Sequence, residues 1–276
     1  MTINCKGTLI DLTTPKVMGI LNITPDSFFD GGKYNNEKAI LEQTEKMLHD
    51  GATFIDIGAY SSRPGAKHIS EEEELARILP VINLLIKHYP EILISADTFR
   101  SNVAEATINS GAAIINDISG GKLDENMFKI VGKFNVPYIL MHMKGTPQNM
   151  QQNPVYENVV TEIVSFFAEQ IGQLRALHVN DVIIDVGFGF GKTIAHNYEI
   201  LQKLALFKNL DAPILAGVSR KSMLYKVLEI TPKEALNATT VANTIALLNG
   251  TNILRVHDVK EAVEAVKIVG ELKGGF

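Results

Sequence analysis

The chain has 276 residues, 46% of them hydrophobic and 21% charged, an ordinary globular composition with ample apolar material for a core. Its formal net charge of -5 argues against a general nucleic-acid or membrane-surface binder, which would carry a basic excess, while leaving room for a local basic pocket. Cys5 is the only cysteine, which excludes an intrachain disulfide and a Cys-rich metal site, and no signal-peptide pattern or membrane-length apolar run occurs, so a cytoplasmic protein with no membrane partner is expected.

In chain order, residues 3–11 read as a short extra strand or hairpin. The run 17–23 is the first of eight short β-branched apolar runs, the others being 53–57, 92–95, 113–116, 137–141, 182–185, 213–216 and 252–256. Their continuous apolar character suits parallel strands buried on both faces. Helical patterns lie between them. Residues 37–48 place Ile40, Leu41, Thr44, Met47 and Leu48 on one side, with Gly51 as a stop signal. Ser70 opens another helix, with Glu73 at capping-box spacing. Residues 155–177, 197–207, 232–248 and 259–269 read the same way. This βα alternation, with no linker or low-complexity segment, predicts an α/β fold, a (β/α)₈ TIM barrel occupying 1–276 as one domain. A doubly wound open sheet is the competing architecture.

Polar residues gather where these runs end. Asn22 closes the first, before Thr24-Pro25-Asp26-Ser27-Phe28. Asp56 lies in the second, before Ser61-Ser62-Arg63-Pro64-Gly65. Asp97 follows the third, Asn116 and Asp117 end the fourth, His142 follows the fifth and Asp185 ends the sixth. Ser219-Arg220-Lys221-Ser222 follows the seventh, and Arg255, His257 and Asp258 end the eighth. Any one of these has a plain explanation as a helix cap or turn former. In a barrel they converge on one mouth, where active sites form.

Asp97, Asn116 and Asp185 suit the donor-rich edge of a heterocycle, because a buried carboxylate facing an amidine-like N–H pair binds it in a fixed geometry. Arg63, Lys221, Arg255 and His257 are cations suited to a phosphate or diphosphate. Asn22 is a neutral oxygen ligand that could help hold Mg²⁺ together with substrate phosphates and water. The stretch Gly187-Phe188-Gly189-Phe190-Gly191-Lys192-Thr193 is no P-loop, since that spacing needs glycine at Val186, and no dinucleotide fingerprint. It reads as a loop that lets backbone and Phe rings approach a flat ligand closely.

With these residues in hand, the chain resembles the dihydropteroate synthases of folate biosynthesis, a pterin-binding barrel family. The motifs that carry the resemblance lie at 19–28, 62–65, 116–121, 141–147, 187–192, 219–222 and 255–258. The resemblance implies a transferase, the target of sulfonamides. It would condense 6-hydroxymethyl-7,8-dihydropterin diphosphate with 4-aminobenzoate to 7,8-dihydropteroate and pyrophosphate, by dissociative loss of diphosphate. It also implies Mg²⁺ and a homodimer.

Carried over by position, Asp97, Asn116, Met141, Asp185, Lys221 and Arg255 would hold the pterin. Asn22, Arg63, Arg255 and His257 would bind the diphosphate, and Asn22 the metal. Ser62, Phe190, Lys221 and Ser222 would border the aminobenzoate. Arg63, Lys221, Arg255 and His257 would be the catalytic set, and loops near 26–32 and 61–65 would close over the site. The chain departs from the family pattern at Tyr60 and Ser62, where that pattern reads Glu and Thr, which bears on aminobenzoate binding. Two rival readings share the pterin pocket: a methyltransferase module serving a corrinoid protein, which needs no diphosphate cluster, and an inactive pterin-binding paralogue.

Overall fold

Two residues with positive φ, Lys6 and Gly7, turn the chain between β1 (Thr2–Cys5) and β2 (Thr8–Asp11), a two-residue turn that matches the twist of an antiparallel hairpin. The computed structural model describes residues 1–23, 33–61, 68–147, 149–150, 152–272 and 274. Eight further strands follow: β3 (Lys16–Asn22), β4 (Phe54–Gly58), β5 (Ile94–Asp97), β6 (Ile114–Asp117), β7 (Tyr138–Met141), β8 (Val182–Asp185), β9 (Ile214–Ala216) and β10 (Ile253–Val256). They pair in parallel in chain order, and β10 closes the ring by pairing with both β9 and β3. The expected (β/α)₈ barrel and N-terminal hairpin are what the chain forms, and the open sheet is not.

Helices connect the strands on the outside: α1 (Lys33–His49), α2 (Glu71–His88), α3 (Ser101–Asn109), α4 (Met127–Phe134), α5 (Val159–Ala176), α6 (Ile194–Gln202), α7 (Ser222–Tyr225), α8 (Leu236–Leu248) and α9 (Val259–Leu272). Ser70 caps α2 by accepting from the Glu73 N–H at 3.2 Å, as its spacing predicts. The pattern 232–248 divides: Thr231 and Glu234 box a 3₁₀ turn led by Pro232, and α8 begins only at Leu236. No helix among the described residues is long and apolar enough to cross a membrane.

Successive strand residues point to opposite faces, so each strand serves two cores. One parity (Ile55, Ile94, Ile115, Leu140, Ile184, Ile214, Leu254) packs outward against the helices. The other (Met18, Phe54, Ile114, Ile139, Ile183, Leu215, Ile253) fills the barrel interior. Ile3 and Cys5 of the hairpin, with Leu12, join that inner cluster and plug the barrel from below. Stepping two residues along each inward parity leads from this apolar floor to Asp56, Asn116, Met141, Asp185, Gly217 and Arg255. The fold therefore stacks a polar layer directly above a dry one.

Candidate active site

Asp56 lies at the centre of the polar layer and is fully buried. A carboxylate there must be met by donors, and three side chains supply them. Ser95 Oγ donates at 2.6 Å, Asn116 Nδ2 at 3.3 and 3.2 Å, and Arg255 Nε at 2.6 Å. Arg255 Nη2 reaches on to Asp97 Oδ2 at 2.9 Å. Burial and then the charge of Asp56 push the Asp97 carboxyl up to about 8, against the pull of Arg255. Burial works against the Arg255 cation, yet Asp56 and Asp97 outweigh it and hold the guanidinium firmly charged. Asn116 spends its amide N–H on Asp56, which leaves its carbonyl to serve as an acceptor.

The opposite wall is built by Asp185 and Lys221. Asp185 Oδ1 accepts from the Gly187 N–H at 2.8 Å. Burial raises the Asp185 carboxyl, and Lys221 is the main opposing charge. Lys221 donates to the Phe188 carbonyl and lies 4.8 Å above the centre of the Phe190 ring. Its ammonium falls to about 8, chiefly through burial, with Asp185 resisting and Arg255 assisting. At Gly217 the walls meet: a Cβ there would sit 4.0 Å from both Asp185 Oδ2 and Lys221 Nζ, and 3.9 Å from Arg255 Cβ. Met141 belongs to an apolar cluster with Ile118, Met143 and Met150, against which Phe99 and Phe190 pack. Acceptors and a cation arranged beside this apolar cluster have the chemistry to hold a heterocycle.

Toward solvent, His257 is exposed, and its Nδ1 lies 3.0 Å from Ser219 Oγ, which also accepts from the His257 backbone N–H at 3.2 Å. Ser222 starts α7 directly after Lys221 and is half-buried. Asn22 ends β3, half-buried, paired in register with Gly58. Of the residues singled out in the sequence, Asp97, Asn116, Met141, Asp185, Phe190, Lys221, Ser222, Arg255, His257 and Asn22 thus lie at this end of the barrel. Ser62, Arg63 and the segments 24–32 and 62–65 lie outside the described residues.

Three neighbours in the same motifs have other duties. Asp117 sits on the outward parity, accepting from the Ser119 and Gly121 N–H groups and the Tyr138 hydroxyl. Arg220, at positive φ, forms a two-bond pair with Asp258 at 2.9 and 2.7 Å and donates to the Pro232 and Lys233 carbonyls. The glycine loop also differs from expectation. A side chain at Gly187 would overlap the His142 carbonyl, and one at Gly191 the Lys144 carbonyl. These glycines let the loop lie flush on the 142–144 backbone; Phe188 enters the outer core, while Phe190 packs against the Met141 cluster beneath Lys221.

Asp56 is the residue whose role the sequence reading left unstated. Its signal is a carboxylate in mid-strand between isoleucines, where nothing but a buried counter-charge could hold it. Tyr60 packs edge-on against Phe99 at 5.0 Å, and its hydroxyl lies 3.2 Å from His68 Nδ1. The Arg100 guanidinium covers the Tyr60 and Phe99 rings at 5.6 and 5.0 Å and pairs with buried Glu74.

The family model described as "Pterin binding enzyme" matches residues 18–257. The dihydropteroate synthase of Escherichia coli (strain K12) is 41% identical over 271 residues, covering 98% of this chain and 95% of that protein. The crystal structure of Yersinia pestis dihydropteroate synthase with a sulfonamide drug complex is similar with a TM-score of 0.93 at 41% identity, covering 100% of both chains. The Xanthomonas albilineans dihydropteroate synthase with 4-aminobenzoic acid is similar with a TM-score of 0.91 at 35% identity, covering 99% of this chain and 98% of that one.

Proposed function

We propose residue roles for a chain that belongs to the pterin-binding enzymes and, within them, to the dihydropteroate synthases. The reaction is the transfer of a dihydropterin-methyl group from diphosphate to 4-aminobenzoate, giving 7,8-dihydropteroate and pyrophosphate. The observation that carries the assignment of roles is the convergence of Asp97, Asn116, Asp185, Lys221 and Arg255 on one buried layer. Asp185 Oδ2, Asp97 and the Asn116 carbonyl would accept from the N–H edge of the pterin. Lys221 would donate to its acceptor edge, and Met141 and Arg255 would cover its faces.

Arg255, His257 and Arg63 would receive the diphosphate. The bond from the pterin methylene carbon to the diphosphate oxygen breaks first, and its electron pair leaves with pyrophosphate. The positive charge left on the pterin is met by Asp185, fixed in place before the bond breaks. The lone pair of the aromatic amine then forms the new C–N bond, and the amine proton passes to water. No covalent bond to the enzyme is needed, and Cys5, whose thiol burial raises to about 12, is remote from the mouth. Phe190, Lys221, Ser222 and Ser62 would border the aminobenzoate.

Among the described residues no group of three or more His, Cys, Asp or Glu could hold a metal. The amide oxygen of Asn22 fits Mg²⁺ carried largely by diphosphate oxygens and water, the coordination this ion prefers. When bound, the ion would neutralise charge on the departing diphosphate. A homodimer is supported by exposed apolar residues in one stripe on α8, Val241, Ile245 and Leu248, beside Ile268 and Leu272 of α9. We read 1–276 as one domain, because the hairpin shares the barrel's inner core, and as a cytoplasmic enzyme, its lone thiol suiting a reducing compartment.

The methyltransferase rival gives no use to the cations at the rim. The inactive-paralogue rival is tested by turnover: purified protein with pterin diphosphate, 4-aminobenzoate and Mg²⁺ should release dihydropteroate and pyrophosphate in equal amounts. Pterin binding with no product would overturn the synthase reading.

A further inference from the structure

Lys192 follows the glycine loop and is 3% exposed. Its ammonium nitrogen lies 3.1 Å from His142 Nδ1, 3.2 Å from the His142 carbonyl and 3.0 Å from the Phe190 carbonyl. An ammonium has three N–H bonds, and these three acceptors use them all. No salt bridge holds it among the described residues; its hydrogen-bond partners are neutral and Asp185 favours the cation only at longer range, against Lys221, so its burial is a costly placement that a methionine of the same length would avoid. Burial accordingly drives its proton affinity well down. The His142 ring is likewise kept neutral by burial and the nearby lysines, and packs edge-on against Phe166 at 5.1 Å.

The three bonds join two backbones that already touch. Two acceptors belong to the end of β7 and one to the loop after β8. That loop carries both groups that meet Lys221: the Phe188 carbonyl and the Phe190 ring. We propose that Lys192 is a positioning residue that pins the 187–191 loop to the end of β7 and so sets the Phe190 ring and the seat of Lys221. It touches no substrate. Its effect falls first on the aminobenzoate side, through the Phe190 ring, and reaches the pterin only through Lys221 and the Gly187 N–H on Asp185, while Asp56, Asn116 and Arg255 on other strands hold the rest of the pterin side. This role rests on the synthase reading only for its kinetic consequence; the clamp itself is a property of the fold.

Lys192→Met keeps length and removes all three donors. Hydrogen exchange of the 187–191 amides, read by mass spectrometry, should accelerate at least ~10-fold in this variant while the barrel strands stay protected. The aminobenzoate KM should rise ~10-fold, and the pterin-diphosphate KM should rise by a smaller factor, since only part of the pterin side is seated on this loop. Combined with Phe190→Leu, the two KM effects should be markedly less than additive, since both act through one ring. Unchanged loop exchange in folded Lys192→Met, or full additivity with Phe190→Leu, would overturn the proposal. If Lys192→Met does not fold, His142→Phe decides: it keeps the ring packed on Phe166, removes one acceptor, and should shift loop exchange and KM the same way by less, whereas no shift in either overturns the clamp. Failure of the parent enzyme to make dihydropteroate would instead sink the synthase reading, and the exchange measurement would still judge the clamp.

Discussion

Replacing Asp185 by asparagine removes the negative charge from this wall of the site while keeping its shape. The amide has the shape of the carboxylate, and its oxygen can still accept from the Gly187 N–H that Asp185 Oδ1 takes at 2.8 Å. The loop therefore stays in place, while the negative charge is lost and the Oδ2 position becomes an N–H donor facing the pterin. A unit charge ~4 Å from a cationic pterin, at an effective dielectric of ~20, is worth ~4 kcal/mol. Spreading of the positive charge over the ring and access of water to the mouth reduce this to about 2–3 kcal/mol, or roughly 30- to 160-fold in rate. Because the charge develops in the transition state, kcat should fall, and because the ground-state pterin also loses an acceptor, kcat/KM should fall further, both followed by pyrophosphate release. The variant should also alter the pH profile. Lys221 acts protonated, with its pKa near 8, and Asp185 is the charge that holds that value up. Activity in the parent enzyme should therefore fall as pH rises through about 8, and Asp185→Asn should move this limb to lower pH. A rate within threefold of the parent, or a limb that moves upward, would refute the reasoning.

Arg255→Met should destabilise the fold by ~3–5 kcal/mol in urea titration, because Asp56 and Asp97 would face each other with no cation between them. The loss should shrink in acid. Asp97 has a folded pKa above its unfolded value, so its protonated form favours the fold, a contribution present at low pH and lost as pH climbs toward about 8; a loss greater in acid than at neutral pH would contradict this. Tyr60→Glu removes the ring packed edge-on against Phe99 beneath Arg100 and should change the aminobenzoate KM more than pterin affinity. An unchanged KM would reduce Tyr60 to packing. Val241→Glu with Ile245→Glu should convert the proposed dimer to a monomer in analytical ultracentrifugation, and an unchanged sedimentation coefficient would contradict an interface on this stripe.

The barrel was legible because eight apolar runs separated by helical periods leave few alternatives, and the strands observed lie within about two residues of those runs. Which polar residues share a space was less legible. Asn116 and Asp117 are adjacent, as are Arg220 and Lys221, yet one of each pair faces the mouth and the other supports a loop. The alternation of strand faces decides the first case, and it could have been read by counting from Ile114 to Asn116. The second turns on the positive φ of Arg220, which no pattern announces. The glycines at 187 and 191 serve a backbone contact between segments 45 or more residues apart in sequence, a tertiary fact that local spacing does not carry.

The division of the mouth into a pterin pocket and a diphosphate rim is tested most directly by crossed calorimetric titrations of a pterin lacking diphosphate, and of pyrophosphate with Mg²⁺. The titrations compare the parent enzyme with Asp185→Asn and His257→Ala. Asp185→Asn should weaken the pterin and spare pyrophosphate, and His257→Ala should do the reverse. If both variants weakened both ligands alike, the mouth would be one undivided site and the roles assigned to its two parts would be wrong.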